Sequence, residues 1–191
     1  YGLGACDMKG GVAVALRLAA ALTEPTRDVT WIWYEAEEID SEFNGLRRLA
    51  DERPELIAGD FAVLMEPSNG VVEAGCQGTM RLRIVLKGAR AHLARAWMGR
   101  NAIHRLGPLL DAVAAYEPRR PEILGCTYHD ALQVVRIDGG VSGNVVPDQV
   151  ELDLGHRFAP DRSPEQAEEF VRDLIEPFLE PGDLVELIDM S

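Results

Sequence analysis

Five acids carry the first chemical signal: Asp7 in GACDMKGG, Glu35, Glu37 and Glu38 in the stretch Trp31–Asp40, and Glu66 in MEPS. Each group stands next to an apolar run of strand length or a glycine-rich loop. In an open parallel sheet, ligands gather outside the carboxyl ends of the strands. Acids brought together there repel one another unless they are protonated or hold cations. Hard carboxylates, joined by imidazole, suit zinc or manganese. A carboxylate bridging two metals about 3.5–4 Å apart is a common hydrolytic arrangement. Of two neighbouring glutamates, one can ligate while the other takes a proton from water. Adjacent acids after a strand are also the ordinary make-up of a solvated loop.

The other chemistry-bearing residues lie later. The histidines are His92, His104, His129 and His156. His104 reads as a surface or packing residue, His129 as solvated, and His156, beside Arg157 at a strand end, is open to either reading. His92 sits in GARAHLARAW with Arg90 and Arg95. A cationic loop with an imidazole suits an anionic substrate or a developing oxyanion, and equally a solvated basic loop. The glycines around Lys9 invite a phosphate-binding reading, but the P-loop spacing is absent. Cys6, Cys76 and Cys126 are odd in number and widely spaced, which suits reduced thiols of a cytoplasmic protein.

Elements must position these residues. Val12–Leu22 is almost wholly Ala, Val and Leu, which predicts a helix buried on most sides. Val29–Tyr34 and Phe61–Met65 predict strands covered on both faces. Asn44 is placed to cap a short helix over Gly45–Ala50. Residues 1–75 therefore read as an α/β piece with a parallel sheet. After Gly75 the pattern changes: Met80, Leu82, Ile84 and Leu86 alternate with charge, a strand with one wet face. A helix follows Asn101, with a kink or late start at Gly107-Pro108. Strands over Leu132–Ile137 and Val150–Phe158, a helix opened by Ser163-Pro164-Glu165-Gln166, and a strand over Leu184–Ile188 complete the order. Strand, helix, strand, strand, helix, strand is ferredoxin-like. Two domains are expected, over residues 1–75 and 76–191.

The chain has 191 residues, and its net charge of -13 argues against nucleic acid and against an anionic membrane face. No apolar run approaches the roughly 18 residues of a transmembrane helix. The chain opens within a functional-looking loop and closes on a strand-like run, so an internal fragment is expected.

The segments GLGACDMKGG, WYEAEEID and LMEPS, in that order, resemble the co-catalytic zinc aminoacylase/carboxypeptidase family. GARAHLARAWMGRNAIHRL, IDGGVSGNVVPDQVEL and RFAPDRS look most like its succinyl-diaminopimelate desuccinylase branch. The resemblance implies a partial zinc-hydrolase catalytic domain followed by a ferredoxin-like lid and dimerisation domain. It implies two zinc ions, with cobalt or manganese as substitutes. Asp7 would bridge them, Glu38 and Glu66 would be ligands, and Glu37 the general base. His92 would reach into the partner's site in a homodimer, and Asn144 and Arg157 would bind the substrate. Cys76-Gln77-Gly78-Thr79 sits where related enzymes contact the substrate. The reaction implied is removal of succinate from N-succinyl-LL-2,6-diaminopimelate. A related acyl-amino acid such as acetylornithine, a dipeptide, or a non-catalytic dimerisation role are the alternatives. The family's His-x-Asp segment before the glycine-rich loop and its final metal-binding His are not among these residues, so these 191 residues alone are expected to bind zinc poorly. Leu93 and Ala96 stand where relatives of the branch carry Ser and Pro.

Overall fold

The computed structural model describes residues 1–39 and 41–190, with residue 41 described by its backbone only. Asp40, the last residue of the acidic stretch, lies outside the described residues. The chain divides into two compact units, Tyr1–Glu73 and Ala74–Ser191.

The first unit holds helix α1, Gly10–Ala21, and helix α2, Gly45–Glu52. Asn44 caps α2 as its sequence suggests: its side-chain oxygen accepts from the amides of Leu46 at 2.9 Å and Arg47 at 3.2 Å. The expected parallel strands do not form, and among the described residues the first unit contains no β-strand. Val29–Tyr34 and Phe61–Met65 are irregular rather than paired. A strand covered on both faces needs hydrogen-bonding neighbours and helices over it. Neither run has them, and Phe61 is 87% exposed. Helix α1 forms but is not buried on most sides as expected; none of its residues is buried. Its apolar surface has no sheet to lie on.

The second unit follows its pattern closely. Strand β1 spans Gly78–Lys87, helix α3 Leu106–Ala114, strand β2 Ala131–Gly139 and strand β3 Gln149–Phe158. Helix α4, Pro164–Ile175, and strand β4, Leu184–Met190, follow. The sheet order is β2-β3-β1-β4, every neighbouring pair antiparallel, which is the ferredoxin-like arrangement. A single turn over Ile103–Arg105 precedes α3, so Gly107-Pro108 marks a late start. Pro108 falls in the first turn, where a missing N–H costs nothing. Ser163 and Gln166 form the reciprocal capping box that opens α4.

Alternation sorts the sheet into two faces. Leu82, Ile84 and Leu86 of β1 and Val150, Leu152 and Leu154 of β3 are fully buried against Leu109 of α3 and Val171 and Ile175 of α4. The other face is open and charged. There Arg83 pairs bidentately with Asp153 at 2.8 and 3.0 Å, and Arg136 pairs with Glu151 at 2.7 Å. Arg105 binds Asp183 and the Lys87 carbonyl, tying α3 to the start of β4. Burial pushes the Asp183 carboxyl up, but hydrogen bonds from Arg105 and from the amides of Lys87 and Glu180 outweigh it and hold the group below its usual range.

Candidate active site

The acids of the first unit come together through a glycine contact and a turn rather than through strand ends. Gly11, in the first turn of α1, lies against the end of the Phe61–Met65 run. A Cβ there would stand 2.2 Å from the Met65 carbonyl oxygen, so only glycine permits the approach. That contact sets Asp7, just before α1, beside Glu66, just after Met65. The charge of Asp7 acts on the Glu66 carboxyl.

The acidic stretch is divided by Ala36, whose φ of 63° is left-handed. Before it, Glu35 is engaged by α2: its carboxylate pairs with Arg48 at 2.7 Å and its carbonyl accepts from Gly45 N at 3.0 Å. After it, Glu37 and Glu38 come within electrostatic reach of Glu66. Burial pushes the Glu66 carboxyl up, and the charges of Asp7, Glu37 and Glu38 push it further. The four acids therefore share one field. Tyr34 belongs to the same place, its phenol raised by burial and by Glu37 and Glu66. Sequence reading missed Tyr34, since an aromatic in an apolar run carries no polar signal.

Four mutually repelling carboxylates have the donor chemistry of a site for hard cations. They do not complete one: among the described residues, no group of three or more His, Cys, Asp or Glu is placed to hold a metal ion. Cys6, next to Asp7, is a free, exposed thiol. In the glycine-rich loop, Lys9 Nζ donates to the Leu3 carbonyl at 2.7 Å. The amine closes its own loop, as a phosphate-binding lysine would not.

In the second unit, Ala91–His92 pairs with Val145–Val146 in a two-residue ladder. Leu93 N donates to the Asn144 carbonyl at 2.8 Å, so His92 and Asn144 are neighbours. His92 is exposed, and its Nδ1 accepts from Ala94 N at 3.1 Å. A neutral ring that accepts at Nδ1 carries its proton on Nε2 and presents that N–H to solvent. Asn144 Oδ1 accepts from Ser142 Oγ at 2.8 Å, leaving its amide NH2 outward. The fold thus offers two N–H donors on one loop pair.

Arg157 is elsewhere. It lies at the far end of β3, eight residues beyond Gln149, about 26 Å along the strand. One copy of the unit does not bring Arg157 to His92 and Asn144. Arg157 is exposed and pairs across the ladder with Thr79 and Ala131. His156, ambiguous in the sequence, is a core residue at 1% exposure, with Nδ1 2.9 Å from the Ala131 carbonyl. His104 and His129 are exposed.

Residues 75–183 match the family model of a peptidase dimerisation domain. The chain is 51% identical over 176 residues to a Mycobacterium tuberculosis protein provisionally named succinyl-diaminopimelate desuccinylase, covering 92% of this chain and 50% of that protein. It is 45% identical over 179 residues to the succinyl-diaminopimelate desuccinylase of Corynebacterium glutamicum, covering 92% of this chain and 48% of that one. The chain spans about half the length of the curated relatives it matches. A solved aminobenzoyl-glutamate utilization protein from Klebsiella pneumoniae superposes with a TM-score of 0.48 at 16% identity, over 61% of this chain and 29% of that one.

Proposed function

The chain belongs to the peptidase dimerisation-domain family, and from that membership we propose that it is part of a homodimeric zinc amidohydrolase of the cytoplasm that removes the succinyl group from N-succinyl-LL-2,6-diaminopimelate. The observation that carries the reading is the shared field of Asp7, Glu37, Glu38 and Glu66, in which burial and then the charges of the other three push the Glu66 carboxyl up. Such a cluster is costly without bound protons or cations.

Asp7, Glu38 and Glu66 would hold the zinc ions, together with ligands outside these 191 residues. Bound there, zinc would polarise the amide carbonyl and acidify water. The chain's own residues do the rest. Glu37 takes a proton from the attacking water and hands it to the departing amine. Water oxygen bonds to the acyl carbon, the C–N bond breaks, and succinate and diaminopimelate leave. His92 Nε2–H donates to the developing oxyanion. Asn144 and Arg157 bind the substrate's polar and carboxylate groups. Because His92 and Arg157 lie at opposite ends of the sheet, the reading has each site draw them from two subunits.

A second reading is a dimerisation module without catalysis, favoured by the incomplete ligand set among the described residues. Zinc analysis of the full-length protein separates the two, with about two metals per chain expected for the enzyme. The full-length Glu37→Gln variant should keep its zinc and lose about 10²- to 10⁴-fold in kcat on the succinyl substrate. Near-normal turnover would remove Glu37 from the role of base.

A further inference from the structure

The open face of the second unit's sheet changes character along its length. Nearest the middle, Arg83 faces Asp153 across the β1–β3 ladder and is held by both its carboxylate oxygens. The next two rows are Arg81 opposite Gly155 and Thr79 opposite Arg157. These rows bring two guanidiniums to one face and no carboxylate from either strand. Arg81 pairs with Asp189 of β4 at 3.9 Å and its charge also reaches Asp153, which Arg83 already holds, and its side chain stays 50% exposed. Among the described residues, the Arg157 guanidinium makes no hydrogen bond or ion pair. In a chain of 32 acids and 19 lysines and arginines, two diagonal neighbours left so nearly unneutralised are out of pattern. Like charges on adjacent rows of a sheet repel and cost stability unless an anion joins them.

Gly155 between them is the second sign. It pairs with Arg81 on one side and Gln133 on the other, one row from the bulge that the β2–β3 ladder carries between Val134 and Arg136. Its φ is not left-handed. A Cβ there would make only ordinary contacts, 3.7 Å from Val135 Cγ1 and 3.8 Å from the Gln133 carbonyl. Neither backbone conformation nor packing asks for glycine. A glycine inside a strand weakens it and often marks a bulge or a place where a ligand or another backbone comes close. Here it leaves a shallow floor. Arg81 and Arg157 border it, and Val135, 61% exposed, gives it an apolar side.

We propose that Arg81, Arg157 and the Gly155 floor form a carboxylate-binding subsite in which Arg81 selects a dicarboxylic acyl group. This rests on the proposed function and deepens it. A succinyl group ends in a carboxylate on two methylenes, whereas an acetyl group ends in a methyl. The carboxylate meets the paired guanidiniums through charge-assisted hydrogen bonds, and the methylenes lie against Val135. Arg81 is then the residue that separates succinyl from acetyl substrates.

The test is steady-state kinetics of the full-length, zinc-loaded protein on N-succinyl- and N-acetyl-diaminopimelate, wild type against Arg81→Gln and Arg81→Lys. The ratio of kcat/KM, succinyl over acetyl, should fall about 10- to 100-fold in Arg81→Gln, carried by KM, with partial recovery in Arg81→Lys. An unchanged ratio, or equal losses on both substrates, overturns the proposal. Calorimetric titration of the same proteins with succinate and with acetate keeps it decidable if the wild type hydrolyses neither substrate. In that event the proposed function fails by itself. The subsite stands if wild type prefers succinate and Arg81→Gln loses that preference about tenfold, and falls if the two proteins bind alike.

Discussion

Glu35 and Glu37 are two residues apart and have opposite fates. Glu35 is spent on Arg48 and the start of α2, while Glu37 joins Asp7 and Glu66. The cause is Ala36, whose left-handed backbone turns the chain between them at a cost of about 1–3 kcal/mol. From the sequence, Glu35 had no assigned role, and the crowding of Asp7, Glu37, Glu38 and Glu66 was legible because acids bordering short apolar runs are few. Tyr34 and the burial of His156 were not, since both depend on contacts between distant segments. His156 yields a pH prediction. Its ring packs on Phe158 and Phe170, with ring centroids 5.7 and 5.6 Å away. Asp130, Arg119 and Arg162 are the charged groups around it, and the Tyr116 hydroxyl, His156 Nε2 and Arg162 Nη1 are buried without hydrogen-bond partners among the described residues. Burial holds the imidazole pKa below its ordinary value. A depressed histidine pKa favours the neutral ring. Its stabilisation is therefore complete above the unfolded value near 6.5 and is lost as pH falls through that value toward the folded one. Thermal unfolding of the full-length protein should show stability falling between pH 7 and 5, by up to about 1.4 kcal/mol per pH unit from this group. His156→Phe should flatten that fall, and an unchanged slope would rule His156 out as its source.

Elements were read correctly where the sequence pattern and the packing partner lie in the same stretch of chain. The four strands of the main sheet and the helices α3 and α4 of the second unit have their partners within residues 74–191, so alternation and capping signals sufficed. Val29–Tyr34 and Phe61–Met65 carry strand composition, yet no described strand lies beside either, and composition cannot supply one. The contact that matters in the first unit is instead Gly11 against Met65. Gly11→Ala should push α1 from the Phe61–Met65 run and part Asp7 from Glu66. In the full-length protein, zinc affinity should then drop about tenfold or more, with far-ultraviolet circular dichroism retained. Zinc binding as tight as wild type would show that the approach of α1 does not set the acids.

At the scale of the whole molecule, the charge of -13 and the open face of the sheet carry the consequences. Arg83 and Arg136 of that face are tied closely to acids, so the weakly paired Arg81 and its neighbour Arg157 stand out in a way that composition alone could not reveal. Among the described residues, no helix is long and apolar enough to cross a membrane. The central claim is a site shared between subunits: Glu37 from one copy, the oxyanion donor His92 from the other. Subunit exchange between full-length His92→Ala and Glu37→Gln tests it most directly, by succinate release from N-succinyl-LL-2,6-diaminopimelate with zinc present. Each variant alone should be nearly inactive. In an exchanged mixture half the dimers are mixed, and each mixed dimer holds one intact site of two, so about a quarter of wild-type activity should return. A mixture no more active than its two components, with exchange verified, would contradict the account.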